Sequence, residues 1–357
     1  MSGPDAGPRT QALFAALADA PAAFARGVAA AGAVELPFPG EAIRNVAVCG
    51  VGAEGALGDL VLGACHERML VPVSVHSGYA LPGWVGPDTL VVLLSASGTD
   101  EEALTCALLA TERAALCVSV SGGGKLAGSY ADEGVPVIGV PGDGEAGAAF
   151  YEMLGALVGL LDRLGVLPLQ DGELDEAQRT LAAAVGACAR EADPEANPAR
   201  QLAAALCDAV PLVWGGELTG PVARRWVAGI RRHAKQPAWA SELPQLDHDE
   251  LMAFDGMSAQ LAASARLVLL RDARQQRQVQ RRIEHSAAVV ADRVAQQFTV
   301  SADGRGPLAR LLDLTVLGDH LALYLAGLRS VDAGEGERAR RLNERLATMG
   351  MGRTASA

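Results

Sequence analysis

Short, valine-rich apolar runs that alternate with helical stretches limit this chain to one broad fold class. Buried parallel strands are apolar on both faces, so they form continuous apolar runs rather than alternating patterns. The first half therefore predicts an α/β fold in which helices cover both faces of a parallel sheet. The predicted strands are residues 45–50, 72–76, 89–94, 115–120 and 135–140, and the predicted helices are residues 9–31, 56–66, 101–111, 125–133 and 150–164.

The second half repeats this plan of strand, glycine turn and helix. Its predicted strands are residues 210–214 and 266–270, its glycine turn is 215–220, and its helices are 221–232, 307–330 and 335–346. We predict an N-terminal helical segment (1–40), a first α/β domain (41–166), a helical linker (167–200) and a second α/β domain with C-terminal helices (201–357). Ligands of such sheets bind beyond the carboxyl ends of the strands, where glycine turns lead into helices.

Composition excludes several classes of function. The net charge of −12 over 357 residues argues against nucleic acid and against anionic membrane surfaces, since both require clustered cations. The six cysteines form no CxxC pair and no zinc-ligand spacing, so we expect no metal site, and no other cofactor is implied. No basic start followed by an apolar segment opens the chain, and no stretch has the length and purity of a membrane span. A cytoplasmic protein with a small-molecule ligand is expected.

Six segments in order carry a family resemblance. They are CGVGAEGALGDLV (49–61), YALPGWVGPDTLVVLLSASGTDEEAL (79–104), VSVSGGGKLAGSYADEGVPVIGVP (118–141), WGGELTGPVARRW (214–226), AKQPAWASELPQLDHDEL (234–251) and LARLLDLTVLGDHLALYLAGLRSVD (308–332). The chain resembles the tandem sugar isomerase (SIS) domains of bifunctional phosphoglucose/phosphomannose isomerases. The resemblance implies two SIS-type α/β domains and a homodimer, because the relatives build each site across two subunits.

The resemblance also implies a reaction and a site. Such enzymes interconvert aldose and ketose phosphates through an enediol, with a histidine, a proton-shuttling carboxylate and an arginine. Hydroxyl and backbone N–H groups of two glycine-rich loops bind the phosphate. The corresponding positions here are Gly50, Gly52 and Gly55 in the first loop, and Ser95, Ser97 and Thr99 in the second.

Both loops depart from the family pattern by gaining an acid. The family reads GMGGSG in the first loop, and Glu54 takes the place of its serine. It reads SYSGNTEE in the second, and Asp100 takes the place of the phosphate-binding threonine. At about 4 Å and an effective dielectric near 20, each like-charge contact with phosphate costs about 4 kcal/mol before screening. Each helix N-terminus stabilises a bound anion by only about 0.3–2 kcal/mol. We therefore predict that phosphate binding is lost.

The catalytic positions are also changed. Arg232 stands where the proton-shuttling glutamate is expected, and a guanidinium cannot accept a proton from carbon at neutral pH. Gly147 aligns with the family arginine and Asn343 with a C-terminal lysine. His248 is the one catalytic residue retained. Lys235 also matches its family motif, which fixes the alignment around Arg232 and makes Lys235 a candidate ligand contact.

Several alternatives remain at this point. Glu54 and Asp100 either recognise a cationic group or are solvated loop acids in a disused pocket. Arg232 either fills the former phosphate pocket by pairing with these acids, or binds a substrate carboxylate. His248 acts as an acid/base or merely organises a loop or a dimer.

Two functions of different class follow. One is an isomerase-like enzyme for a non-phosphorylated, amino- or carboxylate-bearing carbohydrate, with His248, Glu54 and Asp100 as catalytic groups. The other is a non-catalytic protein that binds a carbohydrate derivative or acts as a scaffold or regulator.

Overall fold

The first of two parallel sheets forms the amino-terminal half of the molecule. The computed structural model describes residues 7–141, 149–334 and 336–351. The strands β1 to β5 lie in the order β2-β1-β3-β4-β5, and every neighbouring pair is parallel. Their bounds are Asn45–Cys49 (β1), Val73–His76 (β2), Thr89–Ser95 (β3), Leu116–Ser121 (β4) and Val137–Gly139 (β5). All seven residues of the central strand β3 are buried, as its unbroken apolar run predicts.

The second sheet has four parallel strands in the order β7-β6-β8-β9. Its strands are Val210–Gly216 (β6), Trp239–Leu243 (β7), Ala265–Arg271 (β8) and Gln296–Ser301 (β9). The two outer strands β7 and β9 were not predicted. Both lie at a sheet edge with residues open to solvent, so neither has the continuous apolar run of a central strand. The α/β class with two parallel SIS-type sheets is confirmed.

Fifteen helices connect and cover the sheets in the described part of the chain. They are Pro8–Ala18 (α1), Ala20–Ala33 (α2), Gly52–Cys65 (α3), Glu101–Glu112 (α4), Gly124–Ala127 (α5), Ser129–Asp132 (α6), Phe150–Arg163 (α7), Glu173–Cys188 (α8), Pro198–Leu206 (α9), Thr219–Gly229 (α10), Glu250–Asp255 (α11), Ala259–Ser264 (α12), Arg277–Val289 (α13), Pro307–Leu328 (α14) and Glu337–Met351 (α15).

Successive side chains of a strand point to opposite faces of the sheet. They pack into three cores: one core that both sheets share and one outer core on the far face of each sheet. Along β3, Leu90 and Val92 face the shared core with α3 and α7, whereas Val91 faces an outer core with α4. Along β8, Val268 faces the shared core with α10 and α14, and Leu267 faces the other outer core with α13. Each sheet is therefore covered on both faces, and the two halves are joined through apolar packing.

The predicted helix over residues 9–31 is instead two helices that meet at an angle of 61°. Pro21 stands in the first turn of α2. A proline there needs no N–H partner, whereas inside one continuous helix it would remove a hydrogen bond and clash with the preceding turn.

Helix α14 corrects the expectation that no stretch has the length and purity of a membrane span. Its 22 residues are long and apolar enough for one, and the bent pair α1–α2 passes the same test if taken together. Most residues of α14 are buried among α8, α9 and α10, which is the position of a core helix. Its apolar surface is thus satisfied by protein packing.

Candidate functional site

Two glycine-rich turns bring the first-domain candidates to one edge of the sheet. Strand β1 leads through Gly50 into α3, whose first turn contains Gly52, Glu54 and Gly55. Its parallel neighbour β3 leads through residues 95–100 into α4. The carboxyl ends of adjacent parallel strands lie side by side. The turns bearing Gly50, Gly52, Glu54, Gly55, Ser95, Ser97, Thr99 and Asp100 therefore converge.

Within the second turn, the serine hydroxyls are hydrogen-bonded to a carboxylate of the same loop. The Ser95 hydroxyl donates to Asp100 Oδ2, and the Ser97 hydroxyl donates to the same oxygen over 3.4 Å. A serine has one hydroxyl hydrogen, so a hydroxyl that donates to Asp100 cannot donate to a ligand as well. Thr99 closes the loop, since its hydroxyl donates to Ser97 Oγ at 3.0 Å. Asp100 thus takes up the donor hydrogens of both serine hydroxyls.

Glu54 lies near backbone donors of the same site, the anion cradle formed by the turns after β1 and β3 (residues 50–55 and 95–100). Burial raises the pKa of its carboxyl above the ordinary value, and the negative charge of Asp100 raises that pKa further. Hydrogen bonds from its own backbone N–H and from that of Ala96 oppose the rise. The Glu54 carboxylate therefore lies at N–H groups that could otherwise hold an external anion. Two internal carboxylates share the donors of one anion cradle.

The turn after β3 depends on glycine at one position. Gly98 has a φ of +66°, which residues with a Cβ rarely adopt. A Cβ built there would lie 1.8 Å from the Gly123 carbonyl oxygen. The backbone of this turn is thus held tightly against the turn that follows β4.

Arg232 lies on a π-helical turn, Ile230–Ala234, at the end of α10. Its side chain is exposed and forms no ion pair with Glu54 or Asp100 among the described contacts. Burial raises the pKa of the Glu54 carboxyl, and the positive charge of Arg232 makes a smaller, opposing contribution. Arg232 also lines a cleft of about 1000 Å³ together with Lys235. The Lys235 ammonium donates to the carbonyls of Arg232 and Gly334.

His248 is not brought to the two first-domain turns. It ends an exposed turn, Gln245–His248, just after β7, and makes no hydrogen bond to a side chain in the described part of the molecule. The carboxylate of its neighbour Asp247 accepts two hydrogen bonds of 2.6 Å, one from the Arg282 guanidinium and one from the Ser286 hydroxyl. The turn that carries His248 is therefore held in place while the imidazole faces solvent.

The remaining aligned positions contribute less. Gly147 lies outside the described residues. Asn343 is exposed on α15. His233, next to Arg232, contacts the Ala333 carbonyl through Nδ1 at 2.9 Å, and burial lowers the pKa of its imidazole. No cluster of three or more metal-ligating side chains occurs among the described residues.

Sequence reasoning missed a buried ionic cluster beside this region. Arg225 on α10 makes two hydrogen bonds to Asp319 on α14, at 3.1 and 3.2 Å. The Tyr151 hydroxyl donates to Asp319 at 2.9 Å, and the Arg225 guanidinium lies 3.9 Å from the centre of the Phe150 ring. The sequence signal was Asp319, a charged residue inside the predominantly apolar helix α14. The cluster joins α7 of the first half to α10 and α14 of the second.

Known proteins resemble this chain at the level of sequence. Residues 195–346 match the family model of the bacterial phospho-glucose isomerase C-terminal SIS domain. A bifunctional phosphoglucose/phosphomannose isomerase from Caldicellulosiruptor bescii is 27% identical over 293 residues, covering 82% of this chain and 86% of the relative. Another from Aquifex aeolicus is 25% identical over 304 residues, covering 85% of this chain and 90% of the relative.

Solved structures agree in fold. A hypothetical protein from Thermus thermophilus gives a TM-score of 0.71 at 14% identity, covering 97% of this chain and 91% of that one. The C-terminal domain of glucosamine-fructose-6-phosphate aminotransferase from Francisella tularensis gives 0.68 at 11% identity, covering 90% and 98%. At such identities the likeness concerns the fold alone. Together with the sequence matches, it confirms the resemblance of this chain to SIS-domain sugar isomerases that the six ordered segments carry.

Proposed function

We propose that this SIS-family protein is an isomerase-like enzyme for a non-phosphorylated carbohydrate that carries an amino or carboxylate group. The observation that carries the proposal is the internal occupation of the anion cradle. Asp100 accepts hydrogen bonds from the hydroxyls of Ser95 and Ser97, while the Glu54 carboxyl lies near the backbone N–H groups of Glu54 and Ala96. A dianionic phosphate would meet both carboxylates, whereas a neutral or cationic substituent would meet two acceptors of suitable charge.

The charges next to this region suit a substrate with both kinds of group. Glu54 and Asp100 present negative charge at the sheet edge, and Arg232 presents a guanidinium close enough to act on Glu54. Guanidinium groups bind carboxylates through paired hydrogen bonds. We propose that Glu54 or Asp100 holds the amine or acts as a base, and that Arg232 and Lys235 contact the anionic group.

His248 takes the acid/base role in this proposal and is supplied by the second subunit of a homodimer. Its exposure away from the first-domain turns of its own chain supports this arrangement. We expect light scattering after gel filtration to give twice the 36.7 kDa mass of one chain. A monomer at micromolar concentration would contradict the shared site. The proposed setting is cytoplasmic, with no cofactor, nucleic acid or membrane required.

A non-catalytic binding protein is the second candidate, and one observation favours it. The space between Glu54, Ala96 and Phe150 admits no molecule of the size of water. In this alternative the first-domain pocket is closed, and the protein binds a carbohydrate derivative elsewhere or serves as a scaffold or regulator.

Two measurements on the purified protein separate these functions. We expect the protein not to interconvert glucose 6-phosphate and fructose 6-phosphate. Interconversion at the rate of an enzyme would contradict the proposal. We expect amino sugars or sugar acids without phosphate to raise the melting temperature, because a ligand of the folded state stabilises it. Turnover of a stabilising sugar that is lost in His248→Asn supports the enzyme, whereas stabilisation without turnover supports the non-catalytic alternative.

A further inference from the structure

We infer that the basic cleft beside the π-helical turn is a binding site for a small polyanion with at least two phosphate or carboxylate groups. The cleft has a volume of about 1000 Å³, at the upper end of the usual range for small-molecule pockets. Its charged lining residues among those described are five cations and one acid: Arg9, Arg231, Arg232, Lys235, Arg338 and Glu337.

The local charge opposes that of the whole chain. The protein carries a net charge of −12, so a concave surface with five cations is a local reversal of sign. The acid of the cleft, Glu337, is paired with Arg341 on the next turn of α15. Like charges held together repel one another, and a bound anion would relieve that repulsion. Clefts lined by one sign of charge also concentrate ions of the opposite sign.

Three arginine side chains of the cleft can bind a ligand anion. Arg231 is held by the carbonyl of Ala238, with Nε at 2.9 Å, and a neutral carbonyl leaves its positive charge uncompensated. Arg232 and Arg338 are exposed, and neither forms an ion pair within the described part of the chain. Guanidinium groups bind phosphate and carboxylate through two parallel hydrogen bonds. The cleft thus combines a fixed cation with two that can move toward a ligand.

A helix terminus adds to this cationic surface. The cleft is bordered by residues 336–339, at the start of the 15-residue helix α15. The N–H groups of a first helical turn have no partner within the helix, and the helix dipole favours an anion there. The anion position therefore receives side-chain charge from the π-helical turn that follows α10, and backbone donors from the start of α15.

The inference extends the proposed function, because Arg232 takes part in both. It also makes the anionic part of the ligand more specific: the cleft has charge for two anionic groups, whereas a single sugar carboxylate needs only one arginine. The serine loop occupied by Asp100 contributes nothing to this cleft. Binding here consequently does not depend on catalysis, and it can be measured without a turnover assay.

Calorimetric titration of the full-length protein with pyrophosphate, and separately with citrate, tests the inference at low ionic strength. We expect the wild-type protein to bind at least one of the two, and a high concentration of sodium chloride to weaken that binding strongly. Citrate binding alone indicates a polycarboxylate, as the proposed substrate class allows. Pyrophosphate binding alone indicates a phosphate-bearing ligand, which is then a different molecule from the proposed non-phosphorylated substrate. Either result supports the site. Failure of both to bind overturns the inference.

Variants of Arg232 and Arg338 test whether the anion binds in the cleft. Arg232→Ser with Arg338→Ser is expected to weaken binding at least about tenfold, the equivalent of about 1.4 kcal/mol. Arg232→Lys with Arg338→Lys should retain more of it, because the charges remain. The matched control is Arg179→Ser on α8, an exposed arginine outside the cleft. Circular dichroism checks that each variant is folded.

Two outcomes overturn the assignment. Unchanged binding by the double serine variant would place the anion elsewhere, and loss of binding in the control would show a non-specific charge effect. Isomerase activity on sugar phosphates would refute the proposed function while leaving these titrations valid.

Discussion

The double variant Glu54→Ser with Asp100→Thr is expected to bind glucose 6-phosphate at least about 100-fold more tightly than the wild-type protein. The two substitutions restore the residues of the family pattern and remove both carboxylates from the anion cradle. Each like-charge contact costs about 4 kcal/mol before screening, so removing two exceeds the roughly 2.7 kcal/mol that a 100-fold change requires even if solvent screens much of it. The hydroxyl of Ser95, which donates to Asp100 in the native chain, becomes able to donate to a ligand.

Isothermal titration with glucose 6-phosphate measures this gain. The matched control is Asp132→Thr with Glu133→Ser, which makes the same chemical changes at two exposed residues near the end of α6. The control should bind as weakly as the wild type, because its acids are not part of the cradle. Equal binding by the double variant and the wild type would mean that the two carboxylates do not exclude phosphate. No isomerase activity is expected to return, since Arg232 still cannot accept a proton.

The strands of the first sheet were predictable because buried parallel strands form continuous apolar runs in the sequence. The run that forms β3 is apolar at nearly every position, and its observed start at Thr89 is the predicted one. The edge strands β7 and β9 were not predictable in the same way. Trp239 is exposed and β9 carries polar residues on its open face, so the apolar pattern on which the prediction depended is absent. The predicted helix over residues 125–133 is two short helices that meet at Gly128.

The candidate site was predictable in location but not in hydrogen bonding. Alignment with the family motif identified Glu54 and Asp100 as departures. Asp100 accepts hydroxyls of its own loop. The Ala96 N–H near Glu54 belongs to the other turn, so its position depends on the approach of two segments that are far apart in the sequence. Alignment likewise suggested that Arg232 could pair with these acids. The structure places its side chain in an open cleft instead, from which it acts on Glu54 only through its charge.

The isosteric variant Asp319→Asn is expected to lower the free energy of unfolding by about 3–5 kcal/mol. Asp319 and Arg225 have about one-tenth of their side-chain surface exposed, and the Arg225 guanidinium also lies against the Phe150 ring. Neutralising Asp319 leaves a buried guanidinium without its counter-charge. The Tyr151 hydroxyl would lose its charged acceptor in the same step. A comparable change at an exposed ion pair has little effect, because solvent screens the charges.

Urea denaturation followed by circular dichroism measures the loss, with Glu344→Gln as the control. Glu344 pairs with Arg340 on the exposed surface of α15, so its replacement should hardly move the transition. Replacing Arg225 by Met and Asp319 by Leu together should recover much of the stability, since a buried ion pair is often no better than apolar packing. Equal midpoints for Asp319→Asn and Glu344→Gln would show that the cluster is not what holds α7 to α10 and α14. Because α10 leads directly into the turn of Arg232, loosening this cluster should also weaken anion binding in the basic cleft.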